Sequence, residues 1–318
     1  MIEVVSISLG SSKRDHESQA ELLGKKVRIR RLGTDGSIPR ALDMLRELDG
    51  QVAAMGLGGV DLYLFAGERR YILRDAVRLR RAVKSTPIVD GSGLKNTLER
   101  LVIRRLCEEG FLAPGKKVLL VSAVDRFGME EALAEAGCEI TYGDLVFALG
   151  LPFPIRSRRV FRAVARILLP ALTKLPISML YPTGHAQERG PKPGKERYYE
   201  EAEIIAGDYH LIRKYLPERL EGKMVITNTV TPQDVEELRG RGVEYLITTT
   251  PEFDGRSFGT NVMEAVLVAV IEKDWSEITQ EDYLEAIGWL GLGPHIARLQ
   301  DGRKPDGTAT EAFVAGAP

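Results

Sequence analysis

The stretch from Asp90 to Asp144 constrains the fold of this chain more than any other, because its elements come in the order that paired parallel strands need. A helical pattern leads into the apolar run Val118–Val121, which sits behind the turn Gly115-Lys116-Lys117. Met129–Ala136 reads as a helix stopped by Gly137, and Ile140–Tyr142 as a second strand followed by Asp144. Parallel strands require such a crossover, and it is nearly always right-handed. The turn after the first strand points backbone N–H groups at whatever binds there, which favours an anion. A carboxylate about 20 residues on accepts hydrogen bonds from a ribose diol. This layout marks Ser122, Ala123, Asp125, Arg126, Phe127, Gly128 and Asp144 as candidate cofactor-binding residues. Of the G-x-G-x-x-G fingerprint only Gly128 is present. Val124 puts a Cβ where backbone would approach a pyrophosphate, and Asp125 adds a negative charge that Arg126 offsets. The alternative is a crossover whose turn binds nothing.

The same alternation extends along the chain. Val4–Leu9, Val27–Leu32, Val52–Met55, Leu62–Phe65 and Pro87–Val89 read as strands. Helices are predicted within 11–23, after the cap Ser37 with Pro39 in the first turn, and over 74–83. A long helix over 92–110 reads as a connector. Further on, Ile204–Ala206, Met224–Thr227 and Tyr245–Thr248 are strands, and Phe258–Ile271 and 279–290 are helices. The fold class is therefore α/β, with two α/β domains and a Rossmann-like parallel sheet in the second. The expected domains are 1–92, a connector at 93–112, and 113–300 with an insertion at 155–200; the tail 301–318 reads as disordered.

With 44 basic and 45 acidic residues among 318, the net charge of −1 gives no nucleic-acid footprint. Two cysteines make no disulfide framework, and no signal-peptide pattern opens the chain, so a cytoplasmic protein is expected. No apolar run approaches the roughly 18 residues of a membrane span. The four histidines are scattered without ligand spacing, so no metal is expected. In 156–169, Arg158, Arg162 and Arg166 share a helical face, which suggests peripheral contact with anionic lipid or else a solvated surface helix. Residues 183–201 read as an exposed loop.

Polar turns at strand ends are where ligands meet open parallel sheets. Asp90 and Lys95 form the best proton-transfer candidate: a carboxylate at a strand end and an ammonium in the next helical turn, able to share one hydroxyl. The alternative is a capping carboxylate beside a surface lysine. Ser11, Ser12, Thr249, Thr250, Arg256, Gly259, Thr260 and Asn261 combine hydroxyls, a guanidinium and a helix start, a candidate site for a phosphate or carboxylate.

The order Asp90-Gly91-Ser92-Gly93, helix, then Gly115-Lys116-Lys117-Val118-Leu119-Leu120-Val121 resembles the shikimate and quinate dehydrogenases. The stretches SLGSS, GLGGVDLYL, DGSGLKNTLER, SAVDRFGMEEAL and RSFGTNVMEA are similar to bacterial proteins labelled quinate 5-dehydrogenase. The family's G-A-G-G-A turn, its V-T-x-P-x-K lysine motif and its M-L-x-x-Q-G motif are not matched. The resemblance implies an NAD(P)-dependent oxidoreductase acting on a small polyol acid such as quinate or shikimate, with Asp90 on the substrate hydroxyl. Asp144 would favour NAD over NADP. The competing reading is a non-catalytic small-anion or nucleotide-binding regulatory protein on a degraded Rossmann scaffold. A small-molecule ligand is expected in either case, and a homo-oligomer is compatible with both.

Overall fold

The computed structural model describes residues 1–22, 24–66, 69–177, 193–250, 252–253, 256–257 and 259–300. The chain is α/β and forms two compact units from interleaved segments. Unit 1 comprises Met1–Thr97, Arg159–Arg189 and Gly259–Tyr283; unit 2 comprises Leu98–Arg158, Gly190–Phe258 and Leu284–Pro318. A division into 1–92, a connector and 113–300 is thus replaced by an interleaved one. The physical reason is the apolar helix Thr260–Val270, which packs on the strands of unit 1. The expected tail 301–318 lies outside the described residues.

Unit 1 is built on β1 (Ile2–Ser8), β2 (His16–Leu22), β3 (Lys25–Gly33), β4 (Ala54–Gly58) and β7 (Ile88–Val89), in the order β2-β3-β1-β4-β7. A separate hairpin joins β5 (Tyr63–Ala66) to β6 (Arg69–Ile72). β1 pairs in parallel with β3 and β4, and β4 with β7. Val4 and Val5 of β1 are fully buried, as a central strand covered on both faces requires. In β3, Val27 and Ile29 point inward while Arg28 and Arg30 face out to Glu17 and Glu3 at 2.7 and 2.6 Å. The helix expected within 11–23 is instead a single 3-10 turn, Ser12–Arg14, followed by β2, antiparallel to β3. Its residues alternate with period 2 but carry few apolar side chains; cross-strand pairs such as Glu17–Arg28 hold this polar edge. Ser37 caps the helix Ile38–Leu48 by accepting from the Arg40 N–H at 3.3 Å, with Pro39 in the first turn.

Unit 2 contains β8 (Lys117–Leu120), β9 (Glu139–Tyr142), β10 (Ile204–Ala206), β11 (Met224–Thr227), β12 (Tyr245–Thr248) and β15 (His295–Arg298), in the order β15-β12-β11-β10-β8-β9. All pairs are parallel except β12–β15; a two-strand ladder, β13 (Glu252–Phe253) with β14 (Arg256–Ser257), is separate. Residues 196–200, expected in an exposed loop, form a helical turn that buries Tyr198 and Tyr199. Phe147 meets both rings edge-on at 6.3 and 5.6 Å, and the Tyr199 hydroxyl donates to the Ile212 carbonyl at 2.7 Å. Two aromatics in a charged, glycine-rich context hide this core contribution from a composition-based reading.

Taken in chain order, the parallel strands of unit 1 run second, first, third, fourth across the sheet, and those of unit 2 do the same with a fifth added. Each unit therefore has a topological switch point. It lies at the carboxyl ends of β1 and β4 in unit 1, and of β8 and β10 in unit 2.

Helix Arg158–Leu172 continues through Pro170, where the sequence pattern suggests a break. Phe161, Ala165 and Leu169 are buried, while Val160 and Ile167 are exposed beside Arg159 and Arg166. Among the described residues, no helix is long and apolar enough to cross a membrane.

Candidate functional site

At the unit 1 switch point, β1 runs into Leu9-Gly10-Ser11. The Gly10 N–H donates to Ser8 Oγ at 3.1 Å, and the Ser12 N–H to Asp35 Oδ1 at 2.7 Å. Arg31 reaches the same edge from β3, donating to Ser8 Oγ, the Ser11 carbonyl and Asp15 at 3.0, 3.1 and 2.9 Å. Burial brings its guanidinium down to about 10. Ser11 and Ser12 are thus part of a braced loop, and an added Cβ at Gly33 would strike the Ser11 carbonyl at 2.6 Å.

Beyond β4 and β7 the chain places three charges together. Asp90 is buried; its Oδ2 accepts the Leu62 N–H at 2.6 Å, and its Oδ1 accepts the Ser92 N–H and hydroxyl at 3.1 and 2.6 Å. Lys95 lies in the first turn of the helix Ser92–Glu108, its N–H bonded to the Gly91 carbonyl. Its Nζ forms an ion pair with Asp61 Oδ1, the two side chains being 11% and 12% exposed. Burial, then the charge of Asp61, push the Asp90 carboxyl up, and Ser92 and Lys95 partly oppose them. Lys95 lies close enough to Asp90 to oppose that rise, and Asp61, which the sequence reading missed, forms an ion pair with Lys95. The signal was a carboxylate just past the glycines that end a strand, Gly58-Gly59-Val60-Asp61.

Glu264, also missed, closes the inner side of this cluster. Its Oε1 accepts the Gly93 N–H at 3.2 Å and the Tyr283 hydroxyl at 3.0 Å, and its buried Oε2 has no partner among the described residues. Burial, then the nearby Asp90, raise its pKa to about 8. Gly259, Thr260 and Asn261 open the same helix, and Asn261 packs against the strands of unit 1. Asn261 Nδ2 donates to Ser6 Oγ at 2.7 Å, and a Cβ on Gly56 or Gly91 would strike Asn261 backbone at 2.7 or 2.8 Å. Of the residues expected to hold an anion, Ser11, Ser12, Gly259, Thr260 and Asn261 belong to unit 1, and Thr249, Thr250 and Arg256 to unit 2. Thr250 donates to the Asn228 carbonyl at 2.8 Å and Thr249 is buried, while the side chain of Arg256 lies outside the described residues.

At the unit 2 switch point the dinucleotide seat is filled by the protein's own groups. Asp144 Oδ1 accepts the N–H groups of Ala123 and Val124 at 2.9 and 3.0 Å, the donors a diphosphate would need. Burial raises this carboxyl to about 7, against the pull of those two N–H bonds. Arg126 is buried, paired with Glu99 and with Asp208 at 3.2 Å. Asp125 lies 3.9 Å from its Nε, and Ser122 is buried at the end of β8. Phe127 and Gly128 are buried in the first turn of the helix Phe127–Glu135. The groups that the sequence assigns to phosphate and ribose are thus bonded to one another.

Among the described residues, no group of three or more His, Cys, Asp or Glu is arranged to hold a metal. A trough of about 740 Å³ runs along β9 past Tyr198. Two of its cations, Arg156 and Arg158, are already paired with Glu201 and Glu130 at 2.5 and 2.8 Å.

Residues 93–299 match the family model described as "Domain of unknown function (DUF8754)", and residues 3–90 match "Domain of unknown function (DUF8753)". No curated protein matches the sequence. Among solved structures, an ABC transporter periplasmic solute binding protein from Actinobacillus succinogenes with bound D-allose is 11% identical. The match covers 94% of this chain and 98% of that one, at a TM-score of 0.36. A glucose-galactose binding protein from Geobacillus stearothermophilus is 10% identical, covering 95% and 99%, at 0.37. A solute binding protein from Agrobacterium vitis with alpha-D-tagatopyranose is 9% identical, covering 94% and 95%, at 0.38. At such scores the likeness carries no argument about a ligand. The shikimate/quinate dehydrogenase resemblance, and with it the NAD(P) oxidoreductase, is nonetheless corrected. The matching families are described only as domains of unknown function, and the N–H groups that a diphosphate would need are taken by Asp144. The cytoplasmic expectation is withdrawn with it.

Proposed function

We propose that the chain, which belongs to the DUF8754 family, is a non-catalytic binding protein for a small hydroxyl-rich molecule, held at the carboxyl edge of unit 1. The observation that carries this reading is the Asp61–Lys95 pair beside Asp90, buried beyond the carboxyl ends of β4 and β7. A buried ion pair is a poor stability device, because desolvation offsets its attraction. Its place at the end of parallel strands is where ligands bind. A hydroxyl both donates and accepts, so neighbouring hydroxyls suit a carboxylate beside an ammonium.

The test is calorimetric titration of the full chain with monosaccharides, polyols and hydroxy acids. One class is expected to bind, and Lys95→Met should weaken it about 10- to 100-fold, the worth of one charged hydrogen bond. Asp61→Asn/Lys95→Met, which removes both charges of the pair together, separates binding from folding. Silence of the wild type at millimolar ligand, or unchanged affinity in both variants, would sink the proposal.

A further inference from the structure

We infer that the groove between helices Ile38–Leu48 and Arg74–Arg80 of unit 1 docks an acidic, amphipathic helix of a partner protein. The groove has a volume of about 470 Å³, and Arg46, Arg74, Arg78 and Arg81 line it. Arg46 is paired with Asp43 at 3.2 Å. Arg74, Arg78 and Arg81 are exposed, and none of the three pairs with a carboxylate among the described residues. Arg80, on the same helix, is turned elsewhere, over the Trp275 ring at 5.8 Å.

Helix stability does not account for this arrangement. Arg78 and Arg81 lie at the carboxyl end, where the dipole favours cations, but Arg74 is in the first turn, where it disfavours them. Arg74 and Arg78 are also four residues apart, a repulsive spacing for like charges. Three unpaired guanidinium groups, one helical turn apart, match carboxylates spaced one turn apart on a facing helix. The groove is not uniformly polar: Leu42, Val77 and Ala82 also line it. Leu42 is buried, and Val77 and Ala82 are half-buried. That apolar lining favours a peptide with a hydrophobic stripe over a nucleic acid backbone, which would use the arginines alone.

The probe is a labelled four-turn peptide with Glu along one face and Leu along the other, titrated into the full chain and followed by anisotropy. Saturable binding is expected, at least tenfold weaker in Arg74→Glu/Arg78→Glu/Arg81→Glu and weakened again when the peptide's Leu residues become Ser. Circular dichroism should show the variant folded, since these side chains make no ion pair; Arg74→Ala/Arg78→Ala serves if it is not. Equal binding by wild type and variants overturns the inference. So does a Ser peptide or a short DNA duplex bound as tightly as the Leu peptide, which would mark an unselective cationic surface.

Discussion

Arg126→Met should lower the stability of the chain by about 3–5 kcal/mol, and adding Glu99→Leu should restore part of it, since Asp125, 3% exposed, keeps its charge. The side chains of Arg126 and Glu99 are each 1% exposed. Removing the guanidinium leaves the Glu99 carboxylate out of water with its counter-charge gone, which is the costly half of a buried pair. Asp208, 21% exposed, can be solvated, so its loss of Arg126 costs less. Replacing both partners by apolar side chains of similar length removes the desolvation penalty along with the attraction. Denaturant midpoints of wild type, single and double variants decide the matter. A single variant within about 1 kcal/mol of wild type would show that water reaches Glu99. A double variant as poor as the single would show that Arg126 matters for packing or for its other contacts, not for that charge.

Most strands were readable because short apolar runs bounded by turn residues have few alternatives. Ile204–Ala206, Met224–Thr227 and Tyr245–Thr248 appear with the bounds expected of them. The polar edge strand His16–Leu22 was not readable, because hairpin pairing with β3 decides its conformation and its own side chains carry little periodic signal. The pair Asp90 and Lys95 is legible because both belong to one strand-turn-helix. Asp61 comes from 34 residues before Lys95, where the glycines before it mark a strand end but no partner, and Glu264 comes from 171 residues after Gly93, where nothing local announces it. The dinucleotide layout illustrates a different limit. Asp144 stands 20 residues beyond Val124 and a carboxylate at that spacing suits a ribose, yet it suits equally a cap on the turn itself. Spacing gives the neighbourhood; the partner is decided by which donors fold within reach.

Glu264→Gln should flatten the dependence of stability on pH and raise stability above that of the wild type in mild alkali. The Glu264 carboxyl has its pKa raised from 4.5 to about 8, so the folded chain keeps a proton that the unfolded chain releases. Its contribution is therefore complete below about pH 4.5 and is lost as pH rises through 8. At ~1.4 kcal/mol for each pH unit across that window, the loss amounts to several kcal/mol. Asp144, raised from 3.8 to about 7, acts with the same sign, so some slope should survive in Glu264→Gln and fall further with Asp144→Asn added. A glutamine keeps an acceptor for the Gly93 N–H and the Tyr283 hydroxyl but cannot ionise. Thermal midpoints of both proteins, followed from mild acid to mild alkali, should diverge as pH rises. Parallel curves would mean that the Glu264 carboxylate is hydrated or otherwise compensated. The same titration bears on ligand binding, because ionising Glu264 adds a negative charge next to Asp90. An anionic hydroxy acid should then lose affinity in mild alkali while a neutral polyol keeps more of it, and Glu264→Gln should remove that difference.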